Sequence, residues 1–267
     1  MAHLKAVRLA LSGSGFLAAA HVGAVVALHD AGISIKELAG SSGGSIVAGM
    51  AAAGMSPDQM KELALGDSFK DLLVWNPSAL LHKGYCSGDA LLEWLSSNLG
   101  EITFSEVFTP LTVMTTDVNS GHSYRFSSKT TPKVELALAS RCSSSVPIVF
   151  SPVASGTALF VDAGVSNNIP VDQLIQDHIP RVGIEVVSGG AANTARIPGY
   201  ISAIINAMLA SNEGARIAWA KHTGASIIPV NCNGYDFLDT EIPAEGKQDL
   251  FNRGYQAMTT WIKGYRG

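Results

Sequence analysis

The sequence ISIKELAGSSGGSIVAGMAAAG, residues 33–54, places a glycine- and serine-rich turn between two apolar runs. Residues 33–39 predict a buried strand, and the alanine-rich run at residues 45–54 predicts a helix. The turn between them, Gly40-Ser41-Ser42-Gly43-Gly44, has the form G-x-S-x-G, which is typical of a nucleophile elbow where a strand turns into a helix. A glycine-rich helix cap would explain the composition but not this spacing. The stretch therefore predicts an α/β fold with Ser42 as a nucleophile.

The rest of the chain repeats this alternation of strands and helices. The apolar run Ala6–Leu11 ends in a turn of small residues, and Phe16–Leu28 then predicts a helix. Strands that alternate with helices form a mainly parallel sheet with helices on both faces. We therefore expect a three-layer α/β/α fold with a mainly parallel central sheet, formed by residues 1–267 as a single domain. Runs rich in β-branched residues predict further strands at 111–116, 182–187 and 226–230, with a helix at 201–221.

The composition excludes some classes of function. The 267 residues carry a formal net charge of −4, and only 15% of them are charged. The chain has no cluster of lysine and arginine that would bind a phosphate backbone, so we expect no nucleic-acid partner. The cysteines Cys86, Cys142 and Cys232 are odd in number and widely spaced, which favours free thiols over disulfides or a zinc site. We expect neither a metal nor an organic cofactor.

The N-terminal apolar stretch superficially resembles a secretory signal, because Lys5 and Arg8 precede the run from Leu9 to Leu28. That run is interrupted by Ser12-Gly13-Ser14-Gly15, and its longest uninterrupted part is too short to span a bilayer. We therefore expect no signal peptide and no transmembrane helix. The expected location is cytoplasmic, with peripheral contact to a membrane as a further option.

A second apolar region lies at residues 69–99. The simpler interpretation is that its side chains pack helices onto the sheet, and the alternative is a lid that faces lipid. The residues concerned are Phe69, Leu72, Leu73, Trp75, Leu80, Leu81, Leu91, Leu92, Trp94 and Leu95.

Ser42 requires a general base, because a hydroxyl group is a weak nucleophile near neutral pH. No histidine is obviously placed for this role. Asp162 follows the apolar residues Phe160 and Val161, so we expect its carboxylate at the mouth of the sheet. There it can accept the Ser42 proton directly, provided that partial burial raises its pKa. An aspartate that caps a turn is an equally good interpretation of this spacing.

The turn Ser12-Gly13-Ser14-Gly15 joins the first predicted strand to the first predicted helix. Its backbone N–H groups can converge on an anion near Ser42, which predicts an oxyanion hole. The stretch Gly13–Ala18 also matches the dinucleotide fingerprint G-x-G-x-x-A. A nucleotide site needs an acidic residue at the end of the second strand to bind the ribose, and here that strand ends at Gly40. The oxyanion hole is therefore the preferred interpretation.

Four blocks occur along the chain in a fixed order. They are Leu11-Ser12-Gly13-Ser14-Gly15 with Ala20-His21-Val22-Gly23, then Gly40–Ser45, then Ala139–Pro152, and finally Asp162-Ala163-Gly164 with Asn168-Ile169-Pro170. In this order they resemble the blocks of the patatin-like phospholipases. The resemblance extends over most of the chain from Leu4 to Val187, and four ordered blocks are more specific than any one of them.

The resemblance implies a Ser-Asp dyad without histidine, formed by Ser42 and Asp162. It also implies hydrolysis of fatty acyl esters of phospholipids or related lipids through an acyl-enzyme on the serine, with an oxyanion hole from the glycine-rich loop. The amides expected to form that hole are those of Gly13, Ser14, Gly15 and Gly43.

The glycine-rich loop departs from the family pattern, which is commonly G-G-G-x-[RK]-G. Here Ser14 stands at the middle glycine, Leu17 at the basic position and Ala18 at the last glycine. A serine costs on the order of 1 kcal/mol if that position requires a positive φ angle. Loss of the basic residue removes a charge that could bind an anionic phospholipid. We therefore expect a preference for neutral or short-chain esters over charged phospholipids.

Two other functions stay open at this point. An α/β-hydrolase with a Ser-Asp-His triad is formally acceptable through Ser42, Asp162 and either His178 or His222. The altered glycine loop and the apolar region at residues 69–99 would also suit a catalytically impaired lipid-binding module. The oligomeric state is left open by the sequence.

Overall fold

One large sheet forms the centre of the molecule, and the computed structural model describes residues 4–66, 68–74, 83–189 and 197–265. The strands in these ranges are β1 (Ala6–Leu11), β2 (Ser34–Gly40), β3 (Gly84–Cys86), β4 (Leu111–Asp117), β5 (His122–Ser127), β6 (Ile148–Phe150), β7 (Val153–Ser155), β8 (Ala158–Val161), β9 (Arg181–Val187) and β10 (Ser226–Asn231). The large sheet has the order β10-β9-β1-β2-β4-β8-β7, with β5 also paired to β4, and β3 and β6 form a separate pair.

The five strands from β10 to β4 all run parallel to their neighbours. Beyond β4, the strands β5, β8 and β7 join the sheet through antiparallel pairs. The expectation of a mainly parallel sheet is therefore confirmed, whereas the antiparallel end of the sheet was not predicted.

Helices cover both faces of the sheet, which confirms the three-layer fold. Alternation along β1 directs Val7, Leu9 and Leu11 into a large core to which every helix contributes except, among its described side chains, α6 (Ile197–His222). Ala10 points to the other face, where it packs in a smaller core with Ala220 of α6. The helices are α1 (Ala19–Asp30), α2 (Gly43–Ala52), α3 (Pro57–Gly66), α4 (Asp89–Leu99), α5 (Leu136–Ser143), α6 (Ile197–His222) and α7 (Ala244–Gly264).

Small residues on the face toward α6 let the chain that follows β8 lie close to the sheet. Ala10 and Ala39 of the sheet belong to the smaller core, where they pack with Ile169 from the segment after β8. A Cβ atom at Gly183 of β9 would lie only 2.6 Å from Val171 Cγ2, so the segment around Ile169 and Val171 contacts the sheet backbone directly. This close packing holds the residues just after β8 above the carboxyl edge of the parallel strands.

Helix boundaries differ from expectation in two places. The helix predicted at residues 16–28 starts as a 3₁₀ turn at Gly15–Leu17, and α1 itself begins at Ala19. The helix predicted at residues 201–221 is longer, because α6 extends from Ile197 to His222.

The apolar region at residues 69–99 is described in part. Leu72, Leu91 and Leu95 are buried in the large core, with Phe69 packed against it. Trp75, Leu80 and Leu81, which belong to the same predicted apolar region, lie outside the described residues. Within the described ranges, no helix combines the length and apolarity needed to cross a membrane.

Candidate active site

The candidate site lies where two strands approach each other end to end. Strand β5 pairs with one edge of β4. On the other edge, β2 pairs with the first half of β4 up to Val113, and the antiparallel β8 pairs with Thr116 and Asp117. The ends of β2 and β8 therefore face each other beside the middle of β4. Ser42 follows the end of β2 and Asp162 follows the end of β8.

Ser42 occupies a strained turn between β2 and α2. Its backbone has a φ angle of 49° and a ψ angle of −130°, a conformation that residues other than glycine rarely adopt. The flanking glycines permit the turn because the chain is crowded there. A Cβ atom at Gly40 would lie 2.5 Å from Ser45 Cα, and one at Gly44 would lie 2.3 Å from the Ser12 carbonyl oxygen.

The hydroxyl group of Ser42 donates a hydrogen bond to Asp162 Oδ2 at 2.6 Å. The other carboxylate oxygen, Oδ1, accepts a hydrogen bond from the Gly164 amide at 2.7 Å. The backbone of Asp162 is also held, since its amide donates to the Ser145 carbonyl at 2.9 Å and its carbonyl accepts from Thr116 Oγ1 at 3.0 Å. Asp162 thus caps a turn with one oxygen and contacts Ser42 with the other.

Burial changes the basicity of this carboxylate. Ser42 and Asp162 are each only 6% exposed. Burial raises the pKa of Asp162 from 3.8 to about 6, and hydrogen bonds from Ser42 and Gly164 oppose the rise. A carboxyl group with this pKa is ionised at neutral pH and is a stronger base than an exposed aspartate. The pair is therefore suited to direct proton transfer from the serine hydroxyl to the carboxylate.

The glycine-rich loop lies directly beside the elbow. A Cβ atom at Gly43 would lie 2.6 Å from Ser14 Oγ and 3.2 Å from the Gly15 amide nitrogen. Among the hydrogen bonds of the described residues, none has the amide of Ser14, Gly15 or Gly43 as its donor. These three N–H groups are therefore available to an anion that forms next to Ser42.

Other positions in the loop differ from their expected roles. The Gly13 amide donates to both the backbone oxygen and Oδ1 of Asn168, at 3.1 Å each, so it holds the loop in place instead of facing an anion. Ser14 has a φ angle of −143°, so serine causes no strain there, and the positive φ angle of 51° falls on Gly15. Leu17 is completely buried in the large core, so a charge at this position would not reach a ligand.

The histidines of the rival triad lie at the wrong edge of the sheet. His178 precedes β9 and His222 ends α6 just before β10, whereas Ser42 lies at the carboxyl edge of the parallel strands. His21 Nε2 lies 2.8 Å from the Ser12 carbonyl oxygen, and burial lowers the pKa of His21 to about 4. Its neutral ring therefore donates to this carbonyl and supports the loop. Across the described ranges, no three His, Cys, Asp or Glu residues group together as metal ligands.

An apolar cavity of about 70 Å³ adjoins Ser42. None of the described residues that line it carries a charged side chain. The side chains that line it include Phe16, Ala18, Ile46, Phe69, Leu72, Leu91, Trp94, Val146, Phe150 and Leu238.

Sequence reasoning assigned no role to three residues that shape the site. Ser143 Oγ accepts a hydrogen bond from the Ser42 amide at 2.8 Å, and the Ser145 carbonyl accepts one from the Asp162 amide. Arg141 is 4% exposed, and its guanidinium donates to Ser145 Oγ and to nearby backbone carbonyls. All three lie in the block Ala139–Pro152. The feature of the sequence that could have indicated them is Arg141, the one charged residue of that block.

Two curated relatives are similar to this chain in sequence. An uncharacterised protein of Acanthamoeba polyphaga mimivirus is 27% identical over 275 residues, which cover 95% of this chain and 93% of that protein. An uncharacterised NTE family protein of Mycobacterium bovis is 28% identical over 165 residues, which cover 62% of this chain and 44% of that protein. The chain therefore spans less than half the length of the mycobacterial relative.

A solved structure agrees with the fold, and a family model matches most of the chain. The crystal structure of VipD from Legionella pneumophila aligns with a TM-score of 0.66 and 16% identity, covering 98% of this chain and 67% of that one, which shows a shared fold. Residues 9–175 match the family described as patatin-like phospholipase, a range that includes the elbow, the glycine-rich loop and Asp162. Since this match extends over more than half of the sequence, the chain belongs to the patatin-like phospholipase family.

Proposed function

We propose that the chain is a serine esterase that hydrolyses acyl esters of lipids, with Ser42 as the nucleophile and Asp162 as the general base. The observation that carries this proposal is the 2.6 Å hydrogen bond from Ser42 Oγ to Asp162 Oδ2. Membership of the patatin-like phospholipase family supports lipid acyl esters as the class of substrate.

The proposed reaction has two steps. As Ser42 Oγ attacks the ester carbonyl carbon, its proton moves to Asp162, and a tetrahedral intermediate forms. The intermediate collapses when the ester bond breaks, and Asp162 returns the proton to the departing alcohol. The acyl-enzyme is then hydrolysed by water, which gives its proton to Asp162 and releases the fatty acid. The proton returns to Ser42, so each turnover consumes one water molecule.

The negative charge of the intermediate needs hydrogen-bond donors that are already in position. We assign this role to the amides of Ser14, Gly15 and Gly43, which have no other acceptor among the described residues. Gly43 is the first residue of α2, so the positive end of the helix dipole adds to the stabilisation. Loss of one such donor typically lowers kcat by about 10²- to 10³-fold.

The lining of the cavity supports a preference for neutral or short-chain esters over charged phospholipids. Among the described residues no charged side chain lines it, and its volume of about 70 Å³ is well below the roughly 300–1,000 Å³ of typical ligand pockets, which favours a short acyl chain. The test is a panel of p-nitrophenyl esters, triglycerides and phospholipids. A phospholipid rate far above the rate on p-nitrophenyl butyrate would contradict this part of the proposal.

We further propose that the substrate is taken from a lipid surface. Two exposed apolar residues flank segments that line the cavity, namely Val74 at 55% exposure beside Leu72, and Ile148 at 44% exposure beside Phe150. Ile148 also has a positive φ angle of 74°, which is rare for a β-branched residue and turns up at functional sites. An apolar rim of this kind favours contact with lipid next to the cavity.

The surface contact is tested with vesicles of phosphatidylcholine and a soluble ester side by side. Val74→Glu and Ile148→Glu should lower vesicle binding and hydrolysis at the vesicle surface, with little change on p-nitrophenyl butyrate. Phe108→Glu is the matched control, because Phe108 is 84% exposed and contacts the end of α2 remote from Ser42. Equal loss of vesicle binding in all three variants would contradict the proposed rim.

The dyad is tested by two nearly isosteric substitutions. Ser42→Ala and Asp162→Asn should each abolish ester hydrolysis while leaving the circular dichroism spectrum unchanged. Ser97→Ala and Asp58→Asn remove the same groups from exposed helix positions and should keep full activity. Full activity in either dyad variant would refute the proposal. Labelling of Ser42 by a fluorophosphonate separates an enzyme from a lipid-binding module, because a serine without a base stays unlabelled.

A further inference from the structure

Two side chains of helix α6 form hydrogen bonds with the chain segment that follows Asp162. The carboxylate of Glu213 accepts a hydrogen bond from Asn168 Nδ2. Arg216, three residues further along the helix, donates to the Ser166 carbonyl at 2.8 Å. Residues three apart lie on the same face of a helix, so both contacts come from the side of α6 that faces the sheet edge. Neither residue belongs to the blocks that carry the family resemblance.

Asn168 connects this helix to the glycine-rich loop. It is 1% exposed, and its Oδ1 and backbone oxygen both accept a hydrogen bond from the Gly13 amide at 3.1 Å. The contact is tight, since a Cβ atom at Gly13 would lie 2.4 Å from Asn168 Oδ1. Any rotation of the Asn168 amide group therefore moves the loop that carries Ser14 and Gly15.

Glu213 determines which way that amide group faces. An asparagine side chain offers a donor on one side and an acceptor on the other, and a carboxylate accepts only. With Glu213 bound to the NH₂ group, the oxygen must face Gly13. A hydrogen bond to an ionised carboxylate is also stronger than one between neutral groups. Burial raises the pKa of Glu213, the nearby Glu185 adds to the rise, and the hydrogen bond from Asn168 opposes it by favouring the carboxylate.

We infer that Glu213 is a positioning residue for the oxyanion hole, acting through Asn168 on the Gly13 amide and so on the adjacent amides of Ser14 and Gly15. This inference rests on the proposed esterase function. Oxyanion donors act when they are already in place for the charge that develops in the transition state. Loss of the Glu213 contact should therefore lower kcat more than it raises KM.

The test is a set of substitutions that first breaks and then restores the hydrogen bond. Glu213→Leu removes the acceptor and should lower kcat on p-nitrophenyl butyrate by about 10-fold or more, since a misplacement of about 1 Å costs up to about 10²-fold. Glu213→Gln keeps an oxygen acceptor and should retain most of the activity. Asn168→Asp sets two carboxylates against each other and should lose at least as much as Glu213→Leu.

The double variant Asn168→Asp with Glu213→Gln tests whether the hydrogen bond between these two side chains positions the loop. The new side-chain amide at position 213 would then donate to the new carboxylate at position 168, which still accepts from Gly13. The restored hydrogen-bonded pair should return kcat to within about 3-fold of the parent. A merely structural role predicts losses that follow the melting temperature. The positioning role predicts instead that kcat and the affinity for a trifluoromethyl ketone, which forms a tetrahedral adduct, fall together while KM stays within about 2-fold.

Controls separate this inference from the proposed function. Glu245→Leu and Glu245→Gln remove the same charge from an exposed position of α7 and should leave kcat unchanged. If Ser42→Ala is inactive while Glu213→Leu keeps full kcat, the inference fails and the esterase proposal stands. A double variant no better than Asn168→Asp alone would also overturn it. If Glu213→Leu does not fold, the comparison of Asn168→Asp with the double variant still shows whether restoring the hydrogen bond restores kcat.

Discussion

Ser42 Oγ and Asp162 Oδ2 lie 2.6 Å apart, although the two residues are separated by 120 positions in sequence. They meet because β2 and β8 run toward each other along the same edge of β4 and end on either side of a short gap. A carboxylate placed there is buried by the surrounding layers, and burial raises its pKa. The same geometry that brings the two groups together thus makes the carboxylate a better base.

The first prediction concerns the pH dependence of activity. The proposed reaction requires Asp162 as a carboxylate, and burial raises its pKa to about 6. We therefore expect kcat/KM for a p-nitrophenyl ester to be constant above about pH 7 and to fall about tenfold per pH unit well below pH 6. The measurement is a pH–rate profile with an uncharged substrate. An acid limb near pH 4 would show that the carboxylate is not perturbed.

A second prediction concerns the pH dependence of stability, and it follows from the same raised pKa of Asp162. Because the folded state binds the Asp162 proton more tightly than the unfolded state, this residue lowers the stability as the pH rises from about 4 to about 6. Asparagine does not titrate. The unfolding free energy of Asp162→Asn minus that of the parent should therefore increase by on the order of 2 kcal/mol between pH 4 and pH 7. Urea unfolding at both pH values measures it, and a difference independent of pH would contradict it.

A third prediction concerns the serine that replaces a family glycine. Ser14 is 4% exposed, and within the described residues its hydroxyl group has no hydrogen-bond partner. Ser14→Ala removes this buried polar group and should stabilise the protein by about 1 kcal/mol. Activity should persist, because the backbone amide stays. Thermal unfolding and ester hydrolysis test both parts, and a loss of kcat would show that the hydroxyl group contacts the substrate.

A matched substitution at Ser143 should behave in the opposite way. Its hydroxyl oxygen accepts the hydrogen bond from the Ser42 amide at 2.8 Å. Ser143→Ala leaves that amide without an acceptor at a strained turn, so we expect a loss of about 1–3 kcal/mol and a lower kcat. If Ser14→Ala and Ser143→Ala change the stability in the same direction, hydrogen bonding of the two hydroxyl groups does not determine the effect of these substitutions on stability.

A fourth prediction concerns the basic position of the family loop. Leu17 is completely buried in the large core. Leu17→Lys would bury a charge without a partner and should destabilise the protein by about 3 kcal/mol or more, without any gain on anionic phospholipids. Leu17→Met is the control, since it conserves volume and should cost less than about 1.5 kcal/mol. A stable Leu17→Lys variant with faster phospholipid hydrolysis would contradict this account of the loop.

A fifth prediction concerns the size of the cavity. Ala18 lines it, and the cavity holds only about 70 Å³. Ala18→Leu adds three carbon atoms to this wall and should reduce kcat/KM for p-nitrophenyl octanoate by about tenfold or more, which equals about 1.4 kcal/mol, with a smaller effect on the acetate. Initial rates on the two esters give the ratio. An equal loss on both would place the effect on the oxyanion loop instead of the acyl site.

Local sequence was sufficient for the parallel strands and for the candidate nucleophile. The elbow Gly40–Gly44 was recognisable because its glycines mark a turn that excludes side chains, and the strand and helix on either side followed from apolar patterning. The parallel core of the sheet and the three layers followed from the alternation of strands and helices. The antiparallel pairs of β5, β7 and β8 did not follow, because these strands are short and their pairing depends on contacts far apart in sequence.

The sequence by itself determined which residue is the candidate nucleophile, since the strained turn that carries Ser42 is a local backbone property. It left Asp162 undecided between a cap and a base, because either use requires only a turn. Tertiary structure gave Asp162 both contacts by packing β8 against the far half of β4, so that one carboxylate oxygen caps the turn and the other accepts from Ser42, and it also occupied the Gly13 amide with Asn168. Distances between remote side chains, and the burial that sets their pKa values, arise only when the layers pack together.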